Sequence, residues 1–403
     1  MPAGLAALLA LPLVLSACGG GSDSGGSTSG DAGTLRVLDY YNDDPNKTVW
    51  GTALDACGTE VGVKVQRESV PGESLIQKVL QQSSSHTLPD VLMLDNPDLQ
   101  QIAASGALAP LGDYGISTDG YAKGVVDAST YQGELYGLQP VTNTIALFYN
   151  KKIFAAAGLQ PPTTWDELKT TAAALTSGDQ YGVAFSAINS YEGTWQFLPF
   201  MWSNGGDEKN IATPETAGAL QLFVDLVNSG SASKSVVTWG QADLADQFKA
   251  GNAAMMVNGP WNFGSLAEQA DLDYGVVPIP APTAGGKVIS PFGGETWTVP
   301  NTGDKTKQAT AAKFVQCLNS DENMVKESVG TNTVPTKPAL SAKAVEQVPA
   351  LESFSAQVPD LRARTGELGD KWPAAATKIY TAVQSALVGG MTPEAALQQA
   401  QDG

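Results

Sequence analysis

Histidine is almost missing from this chain. His86 is the single histidine in 403 residues. A zinc centre with several imidazole ligands is therefore excluded, and a histidine-based catalytic triad has one candidate. His86 follows the Ser/Gln-rich stretch 81–85 and reads as a solvated loop residue. Cysteine is scarce: three residues do not make a four-thiolate zinc site. Cations are few, with Lys+Arg 23 against Asp+Glu 41 and a net charge of −18. Nucleic-acid binding needs clustered Lys and Arg, and so does a polybasic membrane patch. Neither is present. No run of about 20 apolar residues exists, so no helix is long and apolar enough to cross a membrane. Familiar catalytic signatures are also lacking: Gly-x-Ser-x-Gly elbow, phosphate loop, His-Glu-x-x-His and dinucleotide fingerprint. Carboxylates are plentiful, but no spacing marks a glycosidase-like pair. No metal or cofactor is implied.

What is present is a foldable chain. Hydrophobic residues reach 42%, with 43 Gly and 24 Pro. The length suggests two or three domains, rich in loops.

The first residues read as an address. The apolar run 5–15 is too short to span a bilayer and fits a signal-peptide core, although no Lys or Arg precedes it. That departure leaves open a natural start upstream of Met1. Leu15-Ser16-Ala17-Cys18 resembles a bacterial lipobox, in which the cysteine is lipidated and becomes the mature first residue. Residues 1–17 are thus expected to be a signal peptide. The Gly/Ser-rich residues 18–33 are expected to be a flexible tether of roughly 20 Å r.m.s. span. Outside the cytoplasm Cys57 and Cys317 are free to pair; two buried thiols are the alternative.

Strand and helix signals alternate in the body. Leu35–Tyr40, Val61–Val65 and Asp90–Leu94 read as strands, with helices at Val49–Cys57 and around Leu75–Leu80 between them. This order implies an α/β lobe with a mostly parallel sheet. Thr164–Glu167 fits a capping box, while Thr213-Pro214 and Thr392-Pro393 each open a helix. The strand-like segments Tyr181–Phe185, Ala253–Val257 and Tyr274–Ile279 lie among these helices, forming a second α/β region.

Tryptophan carries the functional signal. Five of eight fall at Trp195, Trp202, Trp239, Trp261 and Trp297, several beside Gly, Asn or Pro. Tryptophans in turns at strand ends can face a cleft, whereas those within elements usually fill cores. Indole stacks on the C–H face of a sugar ring, and Asp, Glu, Asn and Arg bind its hydroxyls. At least two of the group are expected to face ligand.

Several segments in order resemble one known family. They are Val70-Pro71-Gly72-Glu73, Leu88-Pro89-Asp90-Val91, Ala104–Leu111, Leu147–Lys151, Pro162–Leu168, Phe248–Gly251, Met255–Trp261 and Val334-Pro335-Thr336. Together with the lipobox they are similar to the family 1 extracellular solute-binding proteins, the sugar-binding lipoproteins of ABC importers. The resemblance implies an α/β, two-lobe periplasmic-binding-protein type II fold, its lobes discontinuous in sequence and joined by three hinge crossovers. Lobe 1 would comprise 34–142 and 296–330, and lobe 2 would comprise 143–295 and 331–403. Crossovers fall near Asn143, Phe292–Glu295 and Gly330–Val334. Cys57 and Cys317 then share lobe 1, which favours a disulfide.

Carried over residue by residue, the resemblance nominates these ligand contacts: Tyr41, Asn42, Asp43, Glu73, Asp95, Asn96, Asn143, Trp195, Trp202, Trp239, Trp261, Gly293, Gly294, Glu295, Arg364 and Trp372. It implies a monomeric, non-enzymatic carrier on the outer face of a bacterial membrane, anchored by lipid on Cys18. The carrier would deliver a di- or oligosaccharide to a permease whose ATPase is a separate chain. A polyamine-binding protein and an exported carbohydrate-active enzyme are the rivals. A ferric-iron binder would need clustered Tyr or His, and Tyr40 and Tyr41 are expected to point to opposite faces of a strand.

Overall fold

The computed structural model describes residues 33–403, apart from the side chain of Glu73. Cys18 and the expected leader and tether lie outside the described residues.

The first lobe is built on a five-stranded sheet. Strands β1 (Thr34–Asp39), β2 (Lys64–Ser69) and β3 (Val91–Asp95) alternate with helices α1 (Asn46–Val61) and α2 (Gly72–Ser84). Strand β1 lies between β2 and β3 and runs parallel to both. The strand Glu295–Thr298 returns from late in the chain to pair antiparallel with β3, and Gly137–Leu138 completes the sheet. The continuous apolar run of β3 is buried, as a strand covered on both faces requires. The second strand begins later than its valines suggest. Val61 ends α1, and Gly62 caps that helix in the left-handed region at φ 76°. Lys64 is therefore the first strand residue.

Cys57 in α1 and Cys317 in the helix Lys305–Leu318 form a disulfide within this lobe's core, bridging a sequence separation of 260. In the chain-entropy view a loop of that length is worth roughly 5–6 kcal/mol.

The second lobe holds a four-stranded mixed sheet in the order Tyr274–Val277, Ala146–Asn150, Ala253–Asn258, Tyr181–Ala184. Phe185, Phe197, Phe200 and Phe223 centre its core against the helices Pro214–Asn228 and Trp372–Val388. The capping box forms at Thr164 and Glu167. Thr213 and Thr392 each accept a hydrogen bond from the first turn of the helix they open.

The lobes meet where three segments are tied together. Val141–Thr142 pairs antiparallel with Val334–Pro335. Gly293 N donates to Asn143 O at 2.8 Å, and the Gly293 carbonyl accepts from Thr142 Oγ1 at 2.9 Å and Gln139 Nε2 at 2.7 Å. A further segment runs alongside: Arg362 N donates to Ser290 O at 2.9 Å, and Phe292 N to Arg362 O at 3.1 Å.

Candidate ligand-binding cleft

A cleft of about 770 Å³ opens between the lobes beside these crossings. That volume lies within the roughly 300–1,000 Å³ of small-molecule sites.

On the first lobe, the chain leaving β1 sets the geometry. Asp39 is fully buried and takes Arg67 Nε at 2.6 Å, Ser69 Oγ at 2.7 Å and the backbone N of Tyr41 at 2.9 Å. Arg67 also donates to Tyr41 O at 3.0 Å. Saturated in this way, the carboxylate holds a turn just past the strand end. Strand alternation stops at Asp39, so Tyr40 and Tyr41 do not diverge as expected. Both hydroxyls donate to the Glu295 carboxylate, one to each oxygen. Burial raises the pKa of Glu295, with the two tyrosine hydrogen bonds acting against it. Burial first, then the Glu295 charge, pushes both tyrosines well above their usual value. Behind them, Tyr41 stacks on Trp50 with ring centroids 5.1 Å apart.

On the second lobe, the helix Tyr191–Ser203 presents Trp195 to the cleft, its N-terminus capped by Ser190. The Arg364 guanidinium lies between Trp195, at 4.7 Å, and Trp372, at 5.5 Å. It reaches across the lobes to pair with Asp95, Nη2 to Oδ1 2.7 Å. Gly293 is required here by close approach: a Cβ would sit 2.1 Å from Asn143 Oδ1 and 2.7 Å from the Trp195 ring. Trp261 follows the fully buried strand Ala253–Asn258, and its ring folds back over Gly259, where a Cβ would meet it at 2.0 Å. That contact explains the Asn-Gly-Pro-Trp order. Beside it, Asn258 Nδ2 donates to Gln241 O at 2.9 Å, and Gln241 N donates to the Glu192 carboxylate.

Of the residues expected from sequence, Tyr41, Asp95, Asn143, Trp195, Trp261, Gly293, Gly294, Glu295 and Arg364 line this cleft. Others do not. Asn42 and Asp43 are exposed in the turn entering α1, where the Asp43 carbonyl accepts from Lys47 N. Asn96 is buried and donates from Nδ2 to the Gly294 carbonyl at 2.8 Å, bracing the crossing rather than facing ligand. Trp202 is a core residue: its Nε1 donates to Glu208 at 2.8 Å, and Arg362 covers its ring at 4.6 Å. Trp372 is fully buried behind Arg364. Trp239 packs against the second lobe's core and lies outside the lining. The Glu73 side chain lies outside the described residues. His86 is exposed, as expected.

The cleft also contains residues that sequence reasoning missed. Asp98 lies in the single turn after β3, three residues beyond Asp95. Burial, then the Asp95 charge, raises its pKa to about 7, while Arg364 opposes them. Trp50 lies inside a helix, where a tryptophan reads as core. Tyr191, Glu192, Gln241 and Tyr380 come from helix starts and a helix face, with no motif to mark them. Among the described residues, no three His, Cys, Asp or Glu side chains are grouped as a metal site needs.

Two lobes around an aromatic, carboxylate-lined cleft define a protein that encloses a small solute. Residues 52–353 match the model of the bacterial extracellular solute-binding protein family, and this chain belongs to that family. It is 27% identical over 397 residues to a putative binding protein of Brucella abortus (strain 2308), covering 93% of each chain. It is 27% identical over 345 residues to the maltooligosaccharide ABC transporter solute-binding lipoprotein of Streptococcus pneumoniae serotype 4, covering 80% of this chain and 77% of the relative. Among solved structures, the cyclic alpha-maltosyl-1,6-maltose binding protein of Arthrobacter globiformis superposes with a TM-score of 0.78 at 27% identity, covering 92% of this chain and 97% of that one. Members of the family bind solutes outside the cell.

Proposed function

We propose that this protein is the receptor of a sugar-importing ABC transporter. It would be held by a lipid on Cys18 at the outer membrane face and would take up a di- or oligosaccharide. The observation that carries this reading is the convergence of the indoles of Trp195 and Trp261, one clamped by Arg364 and one seated on Gly259, in a cleft that also holds Asp95, Asp98 and Glu295. An apolar indole wall for ring C–H groups and acceptors for ring hydroxyls occur together, with Trp195 contributing only the part of its ring that Arg364 and the second lobe's core leave open. The sugar-binding relatives in Streptococcus and Arthrobacter support the same assignment.

Capture involves no chemistry. Sugar bridges the two lobes, closure excludes water, and each hydrogen bond in the cleft strengthens. Ligand shifts the open–closed equilibrium only by its extra affinity for the closed state. The closed form then docks on a permease driven by a separate ATPase, since this chain has no phosphate loop.

A thermal-shift screen against mono- to tetrasaccharides tests the reading, because a bound ligand raises apparent stability by mass action. Some members of the panel should raise Tm and be recovered uncleaved. No shift with any sugar would overturn the proposal, and recovery of cleaved products would turn it towards an enzyme.

A further inference from the structure

We infer that the cleft selects its solute by charge, taking a neutral glycoside and refusing one that carries a carboxylate or phosphate, with Asp98 as the specificity-determining residue. The inference rests on the sugar reading above and narrows it. Among the described residues, four carboxylates line the cleft, from Asp95, Asp98, Glu192 and Glu295, against the one cation of Arg364.

That cation is already committed. Arg364 Nη2 and Nη1 fork onto Asp95 at 2.7 and 3.4 Å. Indoles cover the guanidinium at 4.7 and 5.5 Å, and its side chain is only 5% exposed. An anionic solute could use it only by displacing Asp95 into a partly buried, uncompensated state, which is costly. The helix end at Tyr191–Ser203 would otherwise attract an anion, but Glu192 occupies its first turn.

The other carboxylates have partners too. Glu295 holds Tyr40 and Tyr41, and Glu192 holds the backbone of Gln241. Asp98 alone among the cleft's carboxylates makes no hydrogen bond or ion pair with a described residue. Once ionised, above about pH 7, it stands as an acceptor for a hydroxyl and as a like charge to an anion. A polyamine needs a carboxylate for each ammonium, and among the described residues of the cleft just one is left uncommitted.

The test is calorimetry on the whole chain with maltose, maltotriose, trehalose and cellobiose, each beside its C6-carboxylate derivative, and with spermidine. A neutral glycoside should bind roughly 100-fold or more tightly than its own carboxylate, since opposing like charges cost several kcal/mol. The gap should narrow as pH falls through about 7, where Asp98 takes up a proton. Asp98→Asn, with Asp98→Ser as a second variant, should narrow it about tenfold at pH 8. A carboxylate derivative binding as well as its neutral parent would overturn charge selection and leave the sugar reading standing. A wide gap unchanged in both variants would overturn the role of Asp98. Binding of spermidine with no glycoside binding at all would overturn both readings.

Discussion

Replacing Trp261 with alanine removes one indole face from the cleft while leaving the surrounding backbone in place. A fully covered aromatic side chain buries about 150–250 Å². One face of Trp261 is seated on Gly259 and the second lobe's core, which leaves about half of the low end of that area, roughly 80 Å², for a ligand. At about 25 cal/mol per Å² this is close to 2 kcal/mol, or roughly thirtyfold in Kd. Isothermal titration with the tightest sugar from the panel should show that loss, with circular dichroism unchanged. Gly259→Ala should act in the same direction without deleting the ring, because its Cβ would displace the indole that now lies 2.0 Å from that position. Trp202→Phe is the control: Trp202 is buried outside the cleft, so affinity should stay within threefold even if Tm falls. Full affinity in Trp261→Ala, or an equal loss in Trp202→Phe, would refute the assignment of the cleft face.

Gly293→Ala should weaken binding at least tenfold, because Asn143 and Trp195 must both yield to the new methyl; titration showing native affinity would mean that neither contributes. The double variant Cys57→Ala/Cys317→Ala should unfold at lower urea concentration, by roughly 2–5 kcal/mol, and intact-mass measurement of the native chain should rise by two protons on reduction. Asp98 keeps a proton in the folded state that the unfolded chain releases, since its pKa is raised from 3.8 to about 7. Its contribution to stability is therefore present below about pH 4 and lost as pH rises through 7, a total of about 2–4 kcal/mol. Asp98→Asn should flatten urea stability over that range, and an unchanged slope would show that the carboxyl is already ionised there.

Local rules recovered much of the fold because they agreed with one another. The Thr164–Glu167 box, the Thr-Pro starts at Thr213 and Thr392, and the unbroken apolar run of β3 each state one structure unambiguously. Where two rules competed, the reading slipped. The alternating Val61, Val63 and Val65 look like one strand, but Gly62 ends a helix in their midst. Alternation was also carried too far at Tyr40 and Tyr41, because nothing local shows that Asp39 is bound by Arg67 and Ser69 from the neighbouring strand. The last strand of the first sheet, Glu295–Thr298, reaches β3 from some 200 residues away in the register Glu295 to Asp95. Only resemblance to a family could anticipate that pairing.

The cleft residues divide along the same physical line. Trp261 in Asn-Gly-Pro-Trp and the Gly293-Gly294 crossing, with Gly294 at φ 99°, are nominated by the family resemblance, and backbone demands at Gly259 and Gly293 account for their placement. Residues fixed by tertiary approach are not separable from sequence, and Trp195 and Trp202 are nominated together although only Trp195 lines the cleft. Trp195 and Trp202 share one helix seven residues apart, and each is covered by an arginine of the segment Arg362–Arg364. By composition and spacing they are equivalent. The two arginines differ in their partner carboxylates: Glu208 is buried within the second lobe, whereas Asp95 belongs to the first. Arg364 also covers the fully buried Trp372, and Trp195 itself packs in the second lobe's core at 7% exposure, so an arginine over the ring does not by itself bring a tryptophan to the cleft. What separates Trp195 from Trp202 is the end of the helix each occupies: Trp195 lies in the turns next to Ser190, Tyr191 and Glu192, which also line the cleft, whereas Trp202 lies at the far end with its indole N–H tied to Glu208.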